Sequence, residues 1–584
     1  MSDFVFSNQK LNHGHLTNTI RSIYEYNIPK VFEYHGDWGS LAVSKGHYRG
    51  FLPLETVHHI CIVLAGPVLE FCENDFLMLE DSNAGTDRIY QRIISNTFNP
   101  LDDLNGPFVI FLLDKQKCTI NLIMDIGMYI PVYFYKTKKM MVLGSHVDLV
   151  AAISNQTMNL DQVSLVDFFI NAAITHPHTV YKDVFQMNPS STYIIDLKAN
   201  AISSEYYWTP QDDVIIHDIN QAADIARSGL QKYVNQVTSN LEEVASFISG
   251  GEDSRFVLAL LPQTCKKDTY TFLDSINKEG EIAQAASQAY GGNFNLITRD
   301  FYHYLDILKP SSRLIGNGSE YMHCHTFRLS LKASLDKYSA VFGGYQGDTI
   351  LKAYWLKVKR YFGERQTKLL SKSGIFSSLY PIRSDLIKPN LIEQIRLRKK
   401  MRLDKIASIT NNTQEWYHLW PRTMGPGMVN YFCNRRLFAS YEPFMIKELF
   451  FVVAATPPEF RLKRKLYHLI SKPYFKKSMF LKNVNGTLPY FHTPVDNGLV
   501  FFYKATRRIR KRLLKENKNQ YSWADWYMLI KSKRWENEVL TMAKKDCKHL
   551  EVFNDMLQKV VLSPATNIQI KLSILQTIHL TNKV

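Results

Sequence analysis

The stretch of eighteen residues from 244 to 261 constrains the fold of this chain more than any other segment. It begins with a short apolar run at 244–248, which is typical of a buried strand. A turn with two adjacent glycines follows, and the apolar-rich run at 255–261 then fits the first turns of a helix. A strand, a glycine turn and a helix in this order predict an α/β domain with a parallel sheet.

The turn after this strand has the composition of an anion-binding loop. Gly250 and Gly251 let the backbone approach a ligand closely, and the following helix offers free N–H groups to an anion. Ser249 and Ser254 add hydroxyl donors, and Asp253 can bind a magnesium ion. The alternative is an ordinary glycine turn in which Asp253 caps the helix.

The length of 584 residues predicts at least two domains. A content of 45% hydrophobic and 21% charged residues is typical of a soluble globular protein. No apolar run is long enough to predict a transmembrane helix, and residues 1–4 do not resemble a secretory signal, so we expect a cytoplasmic protein. The seven cysteines form no CxxC pair, which favours reduced thiols over a disulfide framework.

The net charge of +16 includes two basic clusters, at 396–402 and 507–512. Such clusters can contact nucleic acid, anionic lipid headgroups or an acidic substrate. The alternative is that each cluster is the solvated face of a helix.

Residues 104–150 alternate between apolar runs and short polar turns. Period-two alternation is clearest at 118–124, and strand physics alone predicts an antiparallel meander in this region.

Several signals between 104 and 208 resemble the N-terminal domain of the asparagine synthetase superfamily. They are Leu-Asn-Gly-Pro-Phe at 104–108, Pro-Val-Tyr-Phe-Tyr at 131–135 preceded by an Asp and a Gly, and Tyr-Tyr-Trp at 206–208. The resemblance implies an α/β protein in two domains. Residues 1–210 would form an N-terminal nucleophile (Ntn) type α-β-β-α sandwich related to glutamine amidotransferases, and residues 211–584 the ATP-binding, adenylating domain.

One departure from the family concerns the glutaminase nucleophile. A working glutaminase of this family needs a cysteine at the mature N-terminus, whereas position 2 is Ser2 and the first cysteine is Cys61. We therefore expect no glutaminase activity, and the domain is expected to serve as a scaffold.

The second domain is expected to be a parallel-sheet ATP-pyrophosphatase (PP-loop) domain with a mainly helical extension. The glycine turn is preceded by apolar residues at helical spacing over 219–240. It is followed by a strand at 270–273 and an alanine-rich helix at 281–289, which is the order of elements in the family. The turn, Ser-Gly-Gly-Glu-Asp-Ser, resembles the family's pyrophosphate loop. In the family the next strand, which includes Phe272 here, receives adenosine through backbone groups.

A second motif, Gly-Gly-Tyr-Gln-Gly-Asp at 343–348, ends an apolar strand. It resembles the family's Ser-Gly-x-Gly-x-Asp-Glu, which implies that Gly344 contacts the nucleotide and that Asp348 is a second magnesium ligand beside Asp253. The last residue of the family motif is Thr349 here, so the match is imperfect.

Two further residues are candidates for catalysis. Tyr345 stands where β-lactam synthetases have a tyrosine in a dyad that takes a proton from the amine substrate; a phenol can do this if a neighbour lowers its pKa. The family also places a lysine near the acyl intermediate, for which Lys482 is the nearest match, with Lys476 and Lys477 as alternatives.

The resemblance implies ATP-dependent amide formation through an acyl-adenylate, with ATP and Mg²⁺ as cofactors. The substrates would be an amine and a small-molecule, sugar or peptide carboxylate, with no stable nucleic-acid partner; a homodimer stays open. One alternative is a PP-loop tRNA-modifying enzyme, which the N-terminal half argues against. Another is an inactive scaffold, which the intact Asp253, Ser254 and Asp348 argue against.

Overall fold

The fold was analysed in a computed structural model that describes residues 2–211, 215–359, 368–372, 374–380, 386–425, 427–491, 522–543, 552 and 557–581. Two six-stranded antiparallel sheets form the N-terminal part. The first has the order β12-β10-β11-β1-β3-β2. Its strands are β1 (Phe4–Ser7), β2 (Val31–Gly36), β3 (Gly39–Ser44), β10 (Tyr133–Lys136), β11 (Met141–Gly144) and β12 (Val184–Gln186).

The second sheet has the order β14-β13-β9-β8-β5-β4. Its strands are β4 (Leu54–Glu55), β5 (His59–Leu64), β8 (Val109–Asp114), β9 (Thr119–Met124), β13 (Ser191–Asp196) and β14 (Ala201–Tyr206). A separate antiparallel pair is formed by β6 (Val68–Leu69) and β7 (Leu104–Asn105).

The two sheets pack face to face and helices cover their outer surfaces. Phe111 of β8 lies 5.2 Å from Phe4 and 6.0 Å from Phe6 of β1, measured between ring centroids. On the first sheet, α1 and α4 pack against β3 and β11, and on the second, α2 packs against β5. The helices of this part are α1 (His15–Arg21), α2 (Ala84–Ile94), α3 (Pro100–Asp103), α4 (Val147–Ile153) and α5 (Gln162–Asn171).

The predicted meander at 104–150 is divided between the two sheets. The β8–β9 hairpin belongs to the second sheet, and the β10–β11 hairpin belongs to the first. The buried turn between the hairpins is fixed by Asp125, whose carboxylate accepts hydrogen bonds from the N–H groups of Gly127 and Tyr129. Local alternation predicts strands but not this change of sheet.

The later part of the chain contains the predicted parallel sheet, with the order β17-β16-β15-β18-β21. Its strands are β15 (Glu243–Phe247), β16 (Lys266–Leu273), β17 (Gly292–Thr298), β18 (Val341–Phe342) and β21 (Ser440–Tyr441). The helices predicted beside it are α6 (Ile219–Thr238), α7 (Asp253–Leu260) and α8 (Lys278–Ala289). The protein is therefore mixed α/β, with antiparallel sheets first and a parallel sheet later.

The remaining described elements are mainly helical, apart from the hairpin of β19 (Leu356–Lys359) and β20 (Lys368–Ser371). The helices are α9 (His303–Asp306), α10 (Leu308–Ile315), α11 (Leu329–Lys332), α12 (Gly347–Leu351), α13 (Pro389–Ala407), α14 (Thr413–Leu419), α15 (Met428–Leu437), α16 (Lys447–Ala455), α17 (Lys465–Ser471), α18 (Trp526–Leu529), α19 (Lys533–Ala543), α20 (Leu557–Leu562) and α21 (Ile568–Thr581). Within the described ranges, no helix combines the length and the apolar composition that crossing a bilayer needs.

Buried contacts join the two parts of the chain. Arg435 and Arg436 of α15 form ion pairs with Asp3, at 3.1 and 2.7 Å, and all three side chains are almost completely buried. The strand pairing changes from antiparallel to parallel between Tyr206 and Glu243, and the predicted boundary after residue 210 stays a prediction.

The basic cluster at 396–402 lies on α13 and is only partly available to a partner. Arg398 pairs with Asp161 at 2.8 Å, and Lys399 and Arg402 are buried. Arg396 and Lys400 are exposed. The second cluster, at 507–512, lies outside the described residues, and contact with an anionic surface stays a prediction.

Candidate active site

The glycine turn lies at the carboxyl end of β15 and leads directly into α7, as predicted. Its two serines fix its shape: the hydroxyls of Ser249 and Ser254 lie 3.0 Å apart, and the Gly251 N–H donates to the Ser249 hydroxyl at 3.2 Å. The N-cap of α7 is Glu252, without a side-chain capping bond, and Asp253 is the first helical residue. Capping by Asp253 therefore does not explain the motif.

The second motif lies beside the first because β18 pairs with β15, and both loops leave the sheet at the carboxyl edge. The loops approach so closely that a Cβ on Gly344 would lie 2.7 Å from the backbone nitrogen of Ser254. A residue larger than glycine would push the loops apart. The structure thus brings Asp253 and Asp348 to one place, although they are far apart in sequence.

Two adjoining cavities open at this edge of the sheet. One, of about 410 Å³, is lined by the 249–254 loop together with Asp348, Lys352 and Asn483. The other, of about 210 Å³, is lined by Phe272 and Glu442 among others. Five residues line both cavities and join them: Phe247, Ile248, Ser249, Gly344 and Tyr345. The predicted nucleotide residues therefore line two adjoining cavities that share part of their wall.

Three carboxylates gather at the first cavity. Oxygens of Glu252, Asp253 and Asp348 lie within 4.8 Å of one another, and a set of carboxylate oxygens suits a magnesium ion. The ammonium of Lys352 lies among them, 2.7 Å from Glu252, 2.7 Å from Asp253 and 2.6 Å from Asp348. The cluster therefore fits a cation, and Lys352 supplies one from the chain itself.

Burial and mutual charge shift the ionisation of this cluster. Burial raises the pKa of Asp253 to about 7, although Lys352 opposes this shift. Burial disfavours the charged form of Lys352, but the nearby carboxylates, Asp253 foremost, outweigh it and raise the pKa of Lys352. The lysine is therefore charged at neutral pH.

Tyr345 lies between the two cavities, with Glu442 beneath it. The Tyr345 N–H donates to the Glu442 carboxylate at 3.1 Å, and Glu442 also accepts from the Ser440 hydroxyl. Burial raises the pKa of Tyr345, and the charge of Glu442 adds to the shift. The pKa is thus shifted away from the lowered value that a base of this kind needs, and the catalytic role of Tyr345 stays a prediction. Burial raises the pKa of Glu442 to about 7, which suits proton exchange near neutral pH.

Lys482 lies in a loop that covers the glycine turn, where the Val484 N–H donates to the Gly250 carbonyl at 3.1 Å. Asn483, Val484 and Asn485 line the first cavity, but the Lys482 side chain is exposed and is not part of that lining. Its catalytic role stays a prediction.

The position predicted to have lost the glutaminase nucleophile is covered by protein. Ser2 is 1% exposed, and its hydroxyl donates to the Arg435 carbonyl at 3.5 Å. The neighbouring Asp3 also accepts from the Ser145 hydroxyl at 2.9 Å. Burial disfavours the Asp3 charge, but Arg436 and Arg435 outweigh it and lower the pKa of Asp3 well below its usual range.

Sequence reasoning missed two residues of the site. Lys352 follows Asp348 by four residues, and this spacing in a helix places both on one face, which was a usable signal. Glu442 directly follows β21, so an acid at the carboxyl end of a parallel strand also signals a site.

Comparisons with known proteins support the resemblance that the motifs predict. A family model described as a glutamine amidotransferase domain matches residues 81–208. A curated relative, the putative asparagine synthetase [glutamine-hydrolyzing] 2 of Methanocaldococcus jannaschii, is 24% identical over 376 residues, which are 61% of this chain and 70% of the relative. The two matches confirm the predicted resemblance to the asparagine synthetase superfamily.

Solved structures match less closely. An allosteric regulatory enzyme of purine biosynthesis aligns with a TM-score of 0.26 and 8% identity, over 50% of this chain and 80% of that chain. An NH3-dependent NAD synthetase from Campylobacter jejuni aligns with a TM-score of 0.18 and 16% identity, over 38% of this chain and 93% of that chain. Similarities at this level do not bear on the fold or the site.

Proposed function

We propose that this chain is an enzyme that joins a carboxylate to an amine in an ATP-dependent reaction, through an acyl-adenylate, and releases AMP and pyrophosphate. The observation that carries the proposal is the pair of loops at 249–254 and 343–348, which leave adjacent parallel strands and line one cavity. In this proposal the parallel sheet belongs to a PP-loop domain, and the two antiparallel sheets form an Ntn-type sandwich.

In the first step, the substrate carboxylate attacks the α-phosphorus of ATP, and the bond to pyrophosphate breaks. The backbone of the 249–254 loop and the hydroxyls of Ser249 and Ser254 bind the phosphates, and adenosine lies against Phe272 in the second cavity. Asp253 and Asp348 would bind a magnesium ion, whose charge would neutralise the departing pyrophosphate.

In the second step, the amine nitrogen attacks the acyl carbon and the bond to AMP breaks. The amine loses a proton, and Glu442 is the acceptor that the site offers, because the pKa of its buried carboxyl is raised to about 7. The phenol of Tyr345, which lines both cavities, passes that proton from the amine towards Glu442.

The first step is tested by ATP–pyrophosphate exchange in the presence of Mg²⁺, after a screen of carboxylates for pyrophosphate release. The screen includes peptides, amino acids and uronic sugars. Asp253→Asn and Asp348→Asn should each lose exchange while the melting temperature stays close to that of the wild type. ADP as the nucleotide product, or a fully active Asp253→Asn variant, would contradict the assignment of the loop. Exchange that requires tRNA would instead support a tRNA-modifying enzyme.

The second step is tested by Tyr345→Phe. Loss of a group that moves a proton slows a reaction by about 10²–10⁴-fold, so amide formation should fall by this factor. Exchange should persist, because adenylation does not use the phenol. Glu442→Gln is the matched variant and should show the same split between the two steps. If Tyr345→Phe abolishes exchange, Tyr345 shapes the ATP site; if it changes neither step, another group takes the proton.

A further inference from the structure

The Lys352 ammonium lies at the centre of the carboxylate cluster formed by Glu252, Asp253 and Asp348. Its three distances, 2.7, 2.7 and 2.6 Å, are those of direct ion pairs. The side chain is 8% exposed, and the ring of Tyr467 lies 4.1 Å from the ammonium on another side. Lys352 thus occupies the position from which a single cation contacts all three carboxylates.

The cluster is close to charge balance without any metal. Its three carboxylates face two cationic side chains, because Arg464 also contacts Glu252, at 2.5 Å. A divalent cation placed among the same oxygens would meet the Lys352 charge at contact distance, in a partly buried place where repulsion is weakly screened. A metal ion and the Lys352 ammonium therefore cannot both occupy the centre of the cluster.

The cluster is nevertheless open on one side. Asp348 is 65% exposed, and Lys352 and Asp348 both line the 410 Å³ cavity. Lysine carries its charge on a flexible four-carbon stem, so the ammonium can leave the carboxylates without movement of the backbone. This combination of a charged centre and an open side distinguishes the cluster from a buried ion pair that serves only packing.

We propose that Lys352 is a tethered cation that competes with divalent metal ions for Glu252, Asp253 and Asp348. Free metal is excluded from the cluster while the lysine lies there. A metal ion enters only when Lys352 leaves, and an anion bound in the cavity gives the ammonium another partner. If the proposed reaction is correct, the metal arrives with the nucleotide phosphates and not before them.

The test measures binding of Mn²⁺ without nucleotide, from the electron paramagnetic resonance signal of the free ion. Mn²⁺ stands in for Mg²⁺ because both prefer oxygen ligands. Lys352→Met should bind one Mn²⁺ about 10-fold or more tightly than the wild type, because the repelling charge at contact distance is gone. Lys352→Arg keeps the charge and should bind as weakly as the wild type. Adding Asp253→Asn to Lys352→Met should abolish the gained site.

Lys352→Met removes a positive charge from beside three carboxylates and could prevent folding. A second comparison therefore uses a pair of variants in which the net charge of the cluster is kept. Glu252→Gln/Lys352→Met removes one acid and one base, and it keeps the net charge of the cluster. It should bind Mn²⁺ more tightly than Glu252→Gln alone. Equal affinity within either pair, measured on folded protein, would overturn the proposal. No ATP is present, so this result is independent of whether the proposed reaction is correct.

Discussion

Two clusters of charged side chains, one joining the two parts of the chain and one beside the parallel sheet, differ in their access to solvent. The closed cluster consists of Asp3, Arg435 and Arg436, whose side chains are between 0% and 2% exposed. The open cluster consists of Lys352 with Glu252, Asp253 and Asp348, of which Asp348 is largely exposed and lines a cavity. The ion-pair distances are similar, so distance alone does not tell a structural cluster from a functional one.

This difference in exposure shows which of the carboxylates a ligand can reach. In the closed cluster every carboxylate oxygen of Asp3 is already paired with a guanidinium or a hydroxyl, and no ligand can reach it. Removing one partner of such a buried ion pair destabilises the protein, because the other partner is left as an uncompensated buried charge. In the open cluster all three carboxylates line the cavity and Asp348 is largely exposed, so the partner of these acids can be exchanged. The closed cluster should therefore govern stability and the open cluster should govern activity.

The largest expected effect on stability comes from a substitution that breaks the closed cluster. Asp3→Ala leaves two buried guanidiniums without their carboxylate, and it should lower the free energy of unfolding by about 3–5 kcal/mol. The matched control is Asp348→Ala in the open cluster, which should change this free energy by less than about 1 kcal/mol because the Asp348 side chain is 65% exposed and Lys352 keeps two other carboxylate partners. Urea denaturation followed by circular dichroism measures both. Equal losses in the two variants would contradict the division into a closed and an open cluster.

An intermediate effect concerns the pH dependence of stability, because the carboxyl pKa is shifted downward at Asp3 and upward at Glu442. The pKa of Asp3 is lowered by its arginines, so its stabilisation is complete above the unfolded pKa near 4 and is lost as the pH falls below that value. The pKa of Glu442 is raised to about 7 by burial, so the folded state binds a proton that the unfolded state has released. The Glu442 contribution therefore decreases as the pH rises from about 4 to 7.

Unfolding measured across pH separates the two groups. The difference between wild type and Asp3→Asn should be constant from pH 8 to 5 and should shrink below about pH 4. Between pH 5 and 7 the wild type should lose stability with a slope of up to about 1.4 kcal/mol per pH unit relative to Glu442→Gln. Parallel curves for wild type and Glu442→Gln would show that the Glu442 carboxyl is not perturbed.

The sequence predicted the parts of the site that are local in the chain. The strand, the loop at 249–254 and the helix after it follow from composition and periodicity, whereas Asp348 was predicted from the resemblance of the 343–348 motif to the family's second motif. Lys352 was missed because a lysine carries no signal of its own until its helical spacing from Asp348 is considered. Lys482 was favoured by analogy, yet the described lysine within the cavity is Lys352.

Long-range contacts account for most of what the sequence did not predict. Asp3 and Arg436 are 433 positions apart, and Tyr345 and Glu442 are 97 positions apart. Neither contact leaves a trace in local periodicity, since the first joins α15 to the start of β1 and the second depends on the pairing of β18 with β21. The change of sheet between β9 and β10 is the same kind of event, because strand propensity is satisfied equally well in either sheet.

The smallest expected effect concerns Ser2, beside the closed cluster. The Ser2 hydroxyl is buried and makes one long hydrogen bond, 3.5 Å to the Arg435 carbonyl, so Ser2→Ala should change the free energy of unfolding by no more than about 1 kcal/mol. A nucleophile must reach its substrate, whereas this hydroxyl is buried against α15. We therefore expect no glutamate release from glutamine by the wild type, and no change in Ser2→Ala. Glutamate release by the wild type that is lost in Ser2→Ala would show that the closed cluster opens to admit a substrate. In that case the contrast between the two clusters would be one of degree only.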